Sequence, residues 1–485
     1  MARLAAVGRR THLGALILAG ALLAGACSSG SGARATGTHP PSTTSPRGSY
    51  ADSGTSSDWP EYGHDLANSR LNADEHTVTA STVGTLHKQW SIDGLVGVTG
   101  TPTVAGGTAY FDDWTGTVRA VAADTGRPRW ATKLGGQFVG APAVTPDRVY
   151  ASAGSTLYCL DRATGALVWK VQTDPNPYAQ INASPVVVDG LVLQGTASFE
   201  NIVKASRYTF RGSIAAYDAR TGRQRWKFFT TKNTSADGPG AGIWSTPAVD
   251  VRRGLLYVGT GQSLAPKTGK LADSLLAIDV HTGALKWSRQ FTYPDVFSAG
   301  HPEGKDADVG ASPNLWTSNG RDLVGAGDKG GTFHALDRDT GAVVWQTRLT
   351  PGGAFGGEIG SAAFVDGKLI ATSNVGDPAS NATTNVTKVF ALDPATGKIL
   401  WTAKPFPGKV FAPVSAVPGL AFVATDQGTM AALATATGRR LWTYTAPAKS
   451  ASGPSIVDGR VLWGYGFILF GSPGPGGVIS FAVRP

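Results

Sequence analysis

Between positions 200 and 329 the chain carries four side chains whose types can do chemistry: Glu200, Trp244, Asp308 and Lys329. Carboxylates accept protons and, as hard oxygen donors, hold cations such as calcium. An ammonium donates strong hydrogen bonds, and an indole offers a broad flat face. Each residue also has a plain structural reading. Trp244 can pack between sheets, Glu200 can be a solvated loop carboxylate, Asp308 can cap the turn into the next strand, and Lys329 in Asp328-Lys329-Gly330-Gly331 can be an ordinary hairpin residue. Other chemistries lack their signatures. There is no Cys-x-x-Cys-His for a c-type haem, no Walker loop, no zinc spacing and no Gly-x-Ser-x-Gly elbow. Any oxidation carried out here must therefore hand its electrons to a separate acceptor.

The elements that must position these groups are written in a repeat. Gly 64 and Pro 29 with only Met 2 point to many short strands joined by turns. One motif recurs, Asp-x-x-Thr-Gly-x-x-x-Trp, complete at Asp161 to Trp169, Asp218 to Trp226, Asp279 to Trp287, Asp337 to Trp345 and Asp393 to Trp401. Two more copies keep Thr-Gly and Trp with Ala in place of Asp, at Ala122 to Trp130 and Ala434 to Trp442. Each copy lies between alternating strands, so Asp-x-x-Thr-Gly is a hairpin turn in which Asp and Thr bond backbone groups and Gly supplies positive φ. The tryptophan that follows wedges one sheet against the next.

Successive tryptophans are 39, 57, 61, 58, 56 and 41 residues apart, which fits four-stranded antiparallel blades. Upstream, Val83 to Trp90 forms a tryptophan strand without its turn; downstream, Gly477 to Val483 forms a strand without its tryptophan. The two halves complete one another. The expected fold is all-β, an eight-bladed β-propeller over 59–485 closed by its N- and C-terminal strands, which leaves no open sheet edge. Cys159 takes the place filled by Ala216, Ala277, Ala335 and Ala391 in other repeats and is expected to be a small core residue. The long intervals all fall between Trp169 and Trp401, so the extra loops and the site belong to the central blades.

Beyond the repeats, the segments Gly240 to Pro247, Asp306 to Pro313 and Asp328 to Gly331 resemble those of quinoprotein alcohol dehydrogenases, and Ala179 to Pro185, Thr209 to Ser213 and Asp308 to Pro313 most resemble the polyvinyl-alcohol dehydrogenase branch. The resemblance implies an alcohol oxidised by hydride transfer to pyrroloquinoline quinone beside calcium, with electrons passed to an external acceptor. It implies Trp244 as the stacking floor and Asn182 as a further cofactor contact. It implies Glu200, Gln262 and Asp308 as calcium ligands, Asp308 also as general base, and Lys329 as donor to a quinone oxygen and partner in catalysis. The sequence departs from the family pattern in several places. Gln262 in Gly259-Thr260-Gly261-Gln262 stands where the family has Asn, Asn182 replaces a common Thr, and the vicinal cysteine pair is absent. No cofactor-gripping arginine lies near Gly135 to Gly140, and Gly356-Gly357-Glu358-Ile359-Gly360 lacks an expected aromatic. The alternative implied by these departures is a propeller of PQQ-like repeats without catalysis, a binding or assembly scaffold in the cell envelope with a protein partner.

The first 26 residues hold Arg3, Arg9 and Arg10, no acid, and an apolar run from Leu13 to Ala26 too short to span a bilayer, the shape of a signal peptide. Leu23-Ala24-Gly25-Ala26-Cys27 resembles a bacterial lipobox, which implies lipidation at Cys27, and Arg9-Arg10 also suits twin-arginine export. Residues 27–58, rich in Ser, Thr, Gly and Pro, read as a flexible tether. The expected location is extracytoplasmic, anchored to the cell membrane by lipid. Without the three leader arginines, 40 basic residues stand against 34 acidic ones without runs of one sign, which does not suit nucleic-acid binding. With Cys27 lipidated, Cys159 is the only other cysteine, so the fold holds without an intramolecular disulfide.

Overall fold

The structure is a computed structural model and describes residues 58–484 except 138, 204–206, 233–237, 265–267, 303, 305, 378–379, 381 and 467–474. The leader, Cys27 and the tether up to residue 57 lie outside the described residues. Eight antiparallel sheets follow one another along the chain. We number the blades from the first complete one: blade 1 covers 103–133, blade 2 143–172, blade 3 179–229, blade 4 248–290, blade 5 314–348, blade 6 363–407 and blade 7 415–445. Blade 8 takes three strands from the C-terminus, Ser455–Val457, Arg460–Tyr465 and Gly476–Ala482, and its outermost strand, His87–Leu95, from the N-terminus. Trp90 pairs with Ser480 there. The expected closure by the two chain ends is thus realised. Helix is confined, among the described residues, to the 3₁₀ turns Val83–Thr85 and Glu200–Ile202.

The repeat motif turns out to be a joint between blades. In blade 2, Asp161 Oδ1 accepts the Thr164 backbone N–H at 2.9 Å and its hydroxyl at 2.7 Å, and the same bonds recur at Asp218, Asp337 and Asp393. These bonds hold Asp161, Asp218 and Asp393 below the ordinary carboxylate range, working against desolvation where the carboxylate is partly buried, as in Asp218. The following glycine has φ near +70° and receives the tryptophan of the preceding blade on its bare face. A Cβ at Gly165 would come within 2.5 Å of Trp130, and one at Gly283 within 2.6 Å of Trp226. Each indole N–H then donates to a carbonyl of the same turn, Trp130 to Arg162 at 2.9 Å and Trp401 to Thr435 at 2.8 Å. Across its own hairpin every such tryptophan faces a small residue, as in Ala216 with Trp226 and Cys159 with Trp169. Cys159 is free and fully buried, as its place in the repeat implied, and burial pushes its thiol up to about 12. At the seam Trp442 reaches Leu86 O instead, just before the closing strand.

Two further devices gather the blades around the axis, and neither was read from the sequence. The innermost strands of several blades are entered through Ser-Pro or Thr-Pro steps whose hydroxyls accept a backbone N–H from the preceding blade. Ala141 N donates to Ser184 Oγ, Ser184 N to Thr246 Oγ1, Thr246 N to Ser312 Oγ and Ser312 N to Ser361 Oγ, all within 2.8–3.0 Å. The segment 59–75 crosses these strands. Trp59 pairs with Val104 of blade 1, and the carbonyls of Pro60, Leu66, Ala67, Ser69 and Arg70 accept backbone N–H groups from blades 2, 4, 5, 6 and 7. Glu75 takes the Gly459 N–H of blade 8. The turns this path requires put His64, Asn68 and Arg70 at positive φ. Asn68 spends its amide on the carbonyls of Thr246, Pro247 and Pro313, and buried Arg70 donates to Val414 O and Ser415 Oγ.

Candidate active site in the axial funnel

All the predicted site residues lie on loops at one end of the propeller, opposite the Asp-x-x-Thr-Gly joints. Glu200, Gln262 and Lys329 each follow the second strand of blade 3, 4 or 5; Trp244 and Asp308 precede the first strands of blades 4 and 5. The loops enclose two adjoining chambers that share Asn182, Phe199, Trp244, Ile359 and Phe411. A mouth chamber of about 210 Å³ is lined by Asp308, Lys329 and Gln262 together with Ile202, Phe210, Leu264 and Phe355. An axial chamber of about 200 Å³ lies on the other side of the shared residues. Five of the six candidates, Asn182, Trp244, Gln262, Asp308 and Lys329, thus line a common space.

Trp244 is not a joint tryptophan. Its ring lies where a Cβ of Gly310 would be, so only glycine at 310 lets the indole sit against that backbone. Its partial exposure is to the chambers. Asp308 is 4 % exposed; its Oδ1 accepts the Gln262 backbone N–H at 2.5 Å and its Oδ2 lies 3.3 Å from Lys329 Nζ. Lys329 also donates to Asp306 Oδ1 at 2.5 Å, and its own backbone N–H is fixed on Asp308 O. Burial works against the Lys329 ammonium, but the charges and hydrogen bonds of Asp306 and Asp308 more than reverse it, so its pKa is raised. The Gln262 amide donates to Phe297 O at 3.2 Å.

Glu200 is not brought to the chambers with the others. It opens the 3₁₀ turn Glu200–Ile202 at 2 % exposure, and its carboxylate is taken up by its own loop, accepting Thr209 N, Thr209 Oγ1 and Phe210 N at 2.7–3.1 Å. The physical reason is local: a buried carboxylate is satisfied by whichever N–H groups its loop presents, and residues 209–210 present them.

Sequence reasoning missed the carboxylates behind Asp308. Burial, with Asp308 adding to it, pushes the Asp306 carboxyl up to about 8 even beside Lys329. Asp273, fully buried with no donor for either oxygen, is held well above its ordinary range by burial and by Asp295. Asp295 itself rises to about 6, for burial and the Asp308 charge outweigh the N–H bonds from Phe297 and Ala307. Burial favours the protonated form of Asp273 beside Asp295. Asp306 was visible as Asp306-Ala307-Asp308, two acids on one side of an extended segment. Asp273 and Asp295 carry no local signal, because only the fold brings them beneath 308.

The chain matches two family models: glucose, ethanol and alcohol dehydrogenase β-propeller domain over residues 172–363, and outer membrane protein assembly factor BamB over 329–479. Polyvinylalcohol dehydrogenase of a Pseudomonas species is 29 % identical over 476 residues, covering 87 % of this chain and 73 % of that one. In sequence the chain is thus similar to the quinoprotein alcohol dehydrogenase propellers. A second polyvinylalcohol dehydrogenase, from a Sphingopyxis strain, is 29 % identical to this propeller over 84 % of it and 72 % of the relative. In fold it is similar to quinohemoprotein alcohol dehydrogenase ADHIIG of Pseudomonas putida, with a TM-score of 0.73 at 20 % identity over 88 % of this chain and 80 % of that one. The first family model spans blades 3 to 5 and the connection into blade 6, the part of the propeller that carries Glu200, Trp244, Gln262, Asp308 and Lys329.

Proposed function

We propose that the protein oxidises an alcohol in the mouth chamber, with pyrroloquinoline quinone as hydride acceptor and an external carrier taking the electrons onward. The observation that carries this reading is the Asp308–Lys329 pair, 3.3 Å apart on the wall of a chamber that Trp244 also lines. The residues suit such a cofactor: a large indole against glycine, amides at Asn182 and Gln262, and one cation, Lys329, among the lining residues. When bound, the quinone supplies the hydride acceptor that no side chain here provides. Asp308 is the general base, its Oδ2 taking the hydroxyl proton of the alcohol. Lys329 pairs with that carboxylate and would donate from Nζ to an oxygen of the cofactor. Ile202, Phe210, Leu264 and Phe355 keep the reacting space apolar and exclude water.

Fewer side chains face a calcium ion in the chamber than the resemblance implies. The Glu200 carboxylate is engaged by residues 209 and 210, and among the described residues no three His, Cys, Asp or Glu side chains converge to hold a metal ion. That leaves Asp308 and the Gln262 amide oxygen as the side chains that would hold calcium, whose remaining oxygens would come from water, backbone and the cofactor. No step above depends on the ion. Lipidation at Cys27, and with it anchoring outside the cytoplasm, belongs to the same proposal and would place the enzyme beside membrane electron carriers. The match of 329–479 to an assembly-factor model supports a second reading as an envelope scaffold, but a scaffold has no need of a buried base paired with a lysine.

Calorimetric titration of the purified protein with pyrroloquinoline quinone, with calcium present and with calcium chelated, tests the proposal, followed by dye-linked oxidation of short alcohols and of polyvinyl alcohol. Saturable binding and turnover are expected. No binding under either condition overturns the enzyme and leaves the scaffold.

A further inference from the structure

Behind Lys329 stands a buried histidine that the reaction described above does not use. Residues 328–331 turn the chain between the second and third strands of blade 5, Arg321–Gly327 and Thr332–Asp337. His334, in the third strand, pairs with Ala326 on one side and Gln346 on the other, and it lines neither chamber. Its ring is fixed from three directions. Nε2 lies 2.7 Å from Asp328 Oδ2, Nδ1 lies 2.7 Å from Gln346 Nε2, and Phe291, just past the last strand of blade 4, stacks on the ring with centroids 3.8 Å apart. An amide nitrogen only donates, so Nδ1 accepts from Gln346, and Nε2 carries the hydrogen that goes to Asp328.

The consequence lies in what Asp328 would otherwise do. Its side chain is buried, and its Oδ1 accepts the Thr332 backbone N–H at 2.8 Å. Among the described residues, Oδ2 has no donor other than His334. A buried carboxylate oxygen left without a donor is costly, so the side chain turns to whichever donor it can reach. The next residue in the chain carries an ammonium. Lys329 Nζ is given instead to Asp306 Oδ1 and Asp308 Oδ2, while its backbone N–H rests on Asp308 O and its carbonyl accepts the Gly353 N–H.

We infer that His334 is a positioning residue for Lys329. By supplying the donor that Asp328 Oδ2 needs, it leaves the ammonium to Asp308 and to the cofactor oxygen. The inference rests on the role proposed above for Lys329 and extends it to a residue outside both chambers.

Equilibrium titration of the cofactor-free full-length protein with pyrroloquinoline quinone, followed by quenching of intrinsic tryptophan fluorescence, tests this together with melting of the free protein. His334→Phe keeps a ring against Phe291 and removes the donor, whereas His334→Gln keeps a donor within reach of Asp328. The first is expected to weaken quinone binding about ten-fold, and the second to stay within about three-fold of wild type. Gln346→Met, at an exposed position, releases Nδ1 and should weaken binding about three-fold. In a Lys329→Met background, itself weakened, neither His334→Phe nor Gln346→Met should cost anything further, because the ammonium being positioned has gone. Equal losses with and without Lys329 overturn the assignment, since a merely structural role acts on both backgrounds alike. A fall in melting temperature with unchanged affinity also overturns it. Should His334→Phe fail to fold, Gln346→Met in the two backgrounds carries the test, and unchanged affinity in wild type overturns the assignment. If wild type binds the quinone and Lys329→Met binds it as tightly, the role of Lys329 falls and this inference with it, while the enzyme reading stands. If wild type itself binds no quinone, the reading of the site fails and takes the inference with it.

Discussion

The joint between blades can be tested by adding one methyl group at two glycines with the same backbone. Gly397, in the Asp-x-x-Thr-Gly turn of blade 6, has φ +72°; Gly190, in a turn of blade 3, has φ +73°. Alanine in that region costs each turn a similar amount, on the order of 1 kcal/mol. Their surroundings differ. A Cβ at Gly190 would meet nothing within 4 Å, whereas one at Gly397 would press into the Trp345 ring and lie 2.5 Å from Thr347 Oγ1. Relieving that overlap must shift the indole, with an overpacking cost of roughly 1–3 kcal/mol. It also weakens the Trp345 bond to Pro394 O and the Thr347 bond to Gly397 O, together worth about 1–2 kcal/mol. Gly190→Ala should therefore destabilise by about 1 kcal/mol and Gly397→Ala by about 3–6 kcal/mol. Urea titration followed by tryptophan fluorescence, with the slopes checked for equality, measures the difference. Equal losses would refute the argument that tryptophan seated on glycine joins the blades.

Asp308→Asn keeps an acceptor for the Gln262 N–H but removes the base, so turnover should fall by about 10²–10⁴-fold with little change in melting temperature; a large loss of stability would mark Asp308 as structural. Deleting residues 476–485 removes the strand between Arg460–Tyr465 and His87–Leu95, so the closing blade should be lost and cooperative melting with it; an unchanged calorimetric transition would refute closure. Asn68→Ala leaves its three carbonyl partners unmet and should cost about 2–3 kcal/mol, read from urea midpoints, whereas a surface asparagine would cost almost nothing. The pH dependence of stability has an unusual sign. Glu61, pushed up to about 8 by desolvation and by Asp65, holds a proton in the folded state that the unfolded chain has released, so stability falls as pH rises from about 4 to about 8. The lowered aspartates of the turns contribute stability that is lost on the acid side. Melting temperature should therefore be highest at mildly acidic pH, and Glu61→Gln should flatten the fall; a rise through neutrality would refute these assignments.

Much of the ring could be read in advance because its joint is local. Asp, Thr, Gly and Trp lie within nine residues, and each does its part through a turn bond, a bare backbone face or a ring on one strand, so seven copies spell out seven interfaces. Small residues opposite the tryptophans, Ala216 or Cys159, follow from the same register. The axis was harder. Its hydroxyl chain joins residues such as Ser184 and Thr246, 62 positions apart, and its sequence signal is a short Ser-Pro or Thr-Pro step easily taken for a loop. The segment 59–75 is aperiodic because it pairs with a different blade every few residues, so no strand or helix pattern survives in it. At the site, family-like segments located Trp244, Asp308 and Lys329 on one wall, yet they could not say which way a carboxylate turns. Glu200 shows why: four bonds from residues 209 and 210 decide its direction, and those donors are set by a loop whose conformation no motif encodes.

This division has a physical cause. The joints lie at the end of the blades away from the funnel, so selection on ring closure leaves the loops at the other end free to change. The indole at 244 needs both a chamber to face and a glycine at 310 to lie on. Gly310→Ala places a methyl group inside the Trp244 ring while leaving every joint untouched. It should abolish quinone binding in the fluorescence titration, with a stability loss no greater than that of a single overpacked core site, about 1–3 kcal/mol. If the variant instead binds the cofactor like wild type, Trp244 is not its platform, and the chambers on either side of it need another explanation.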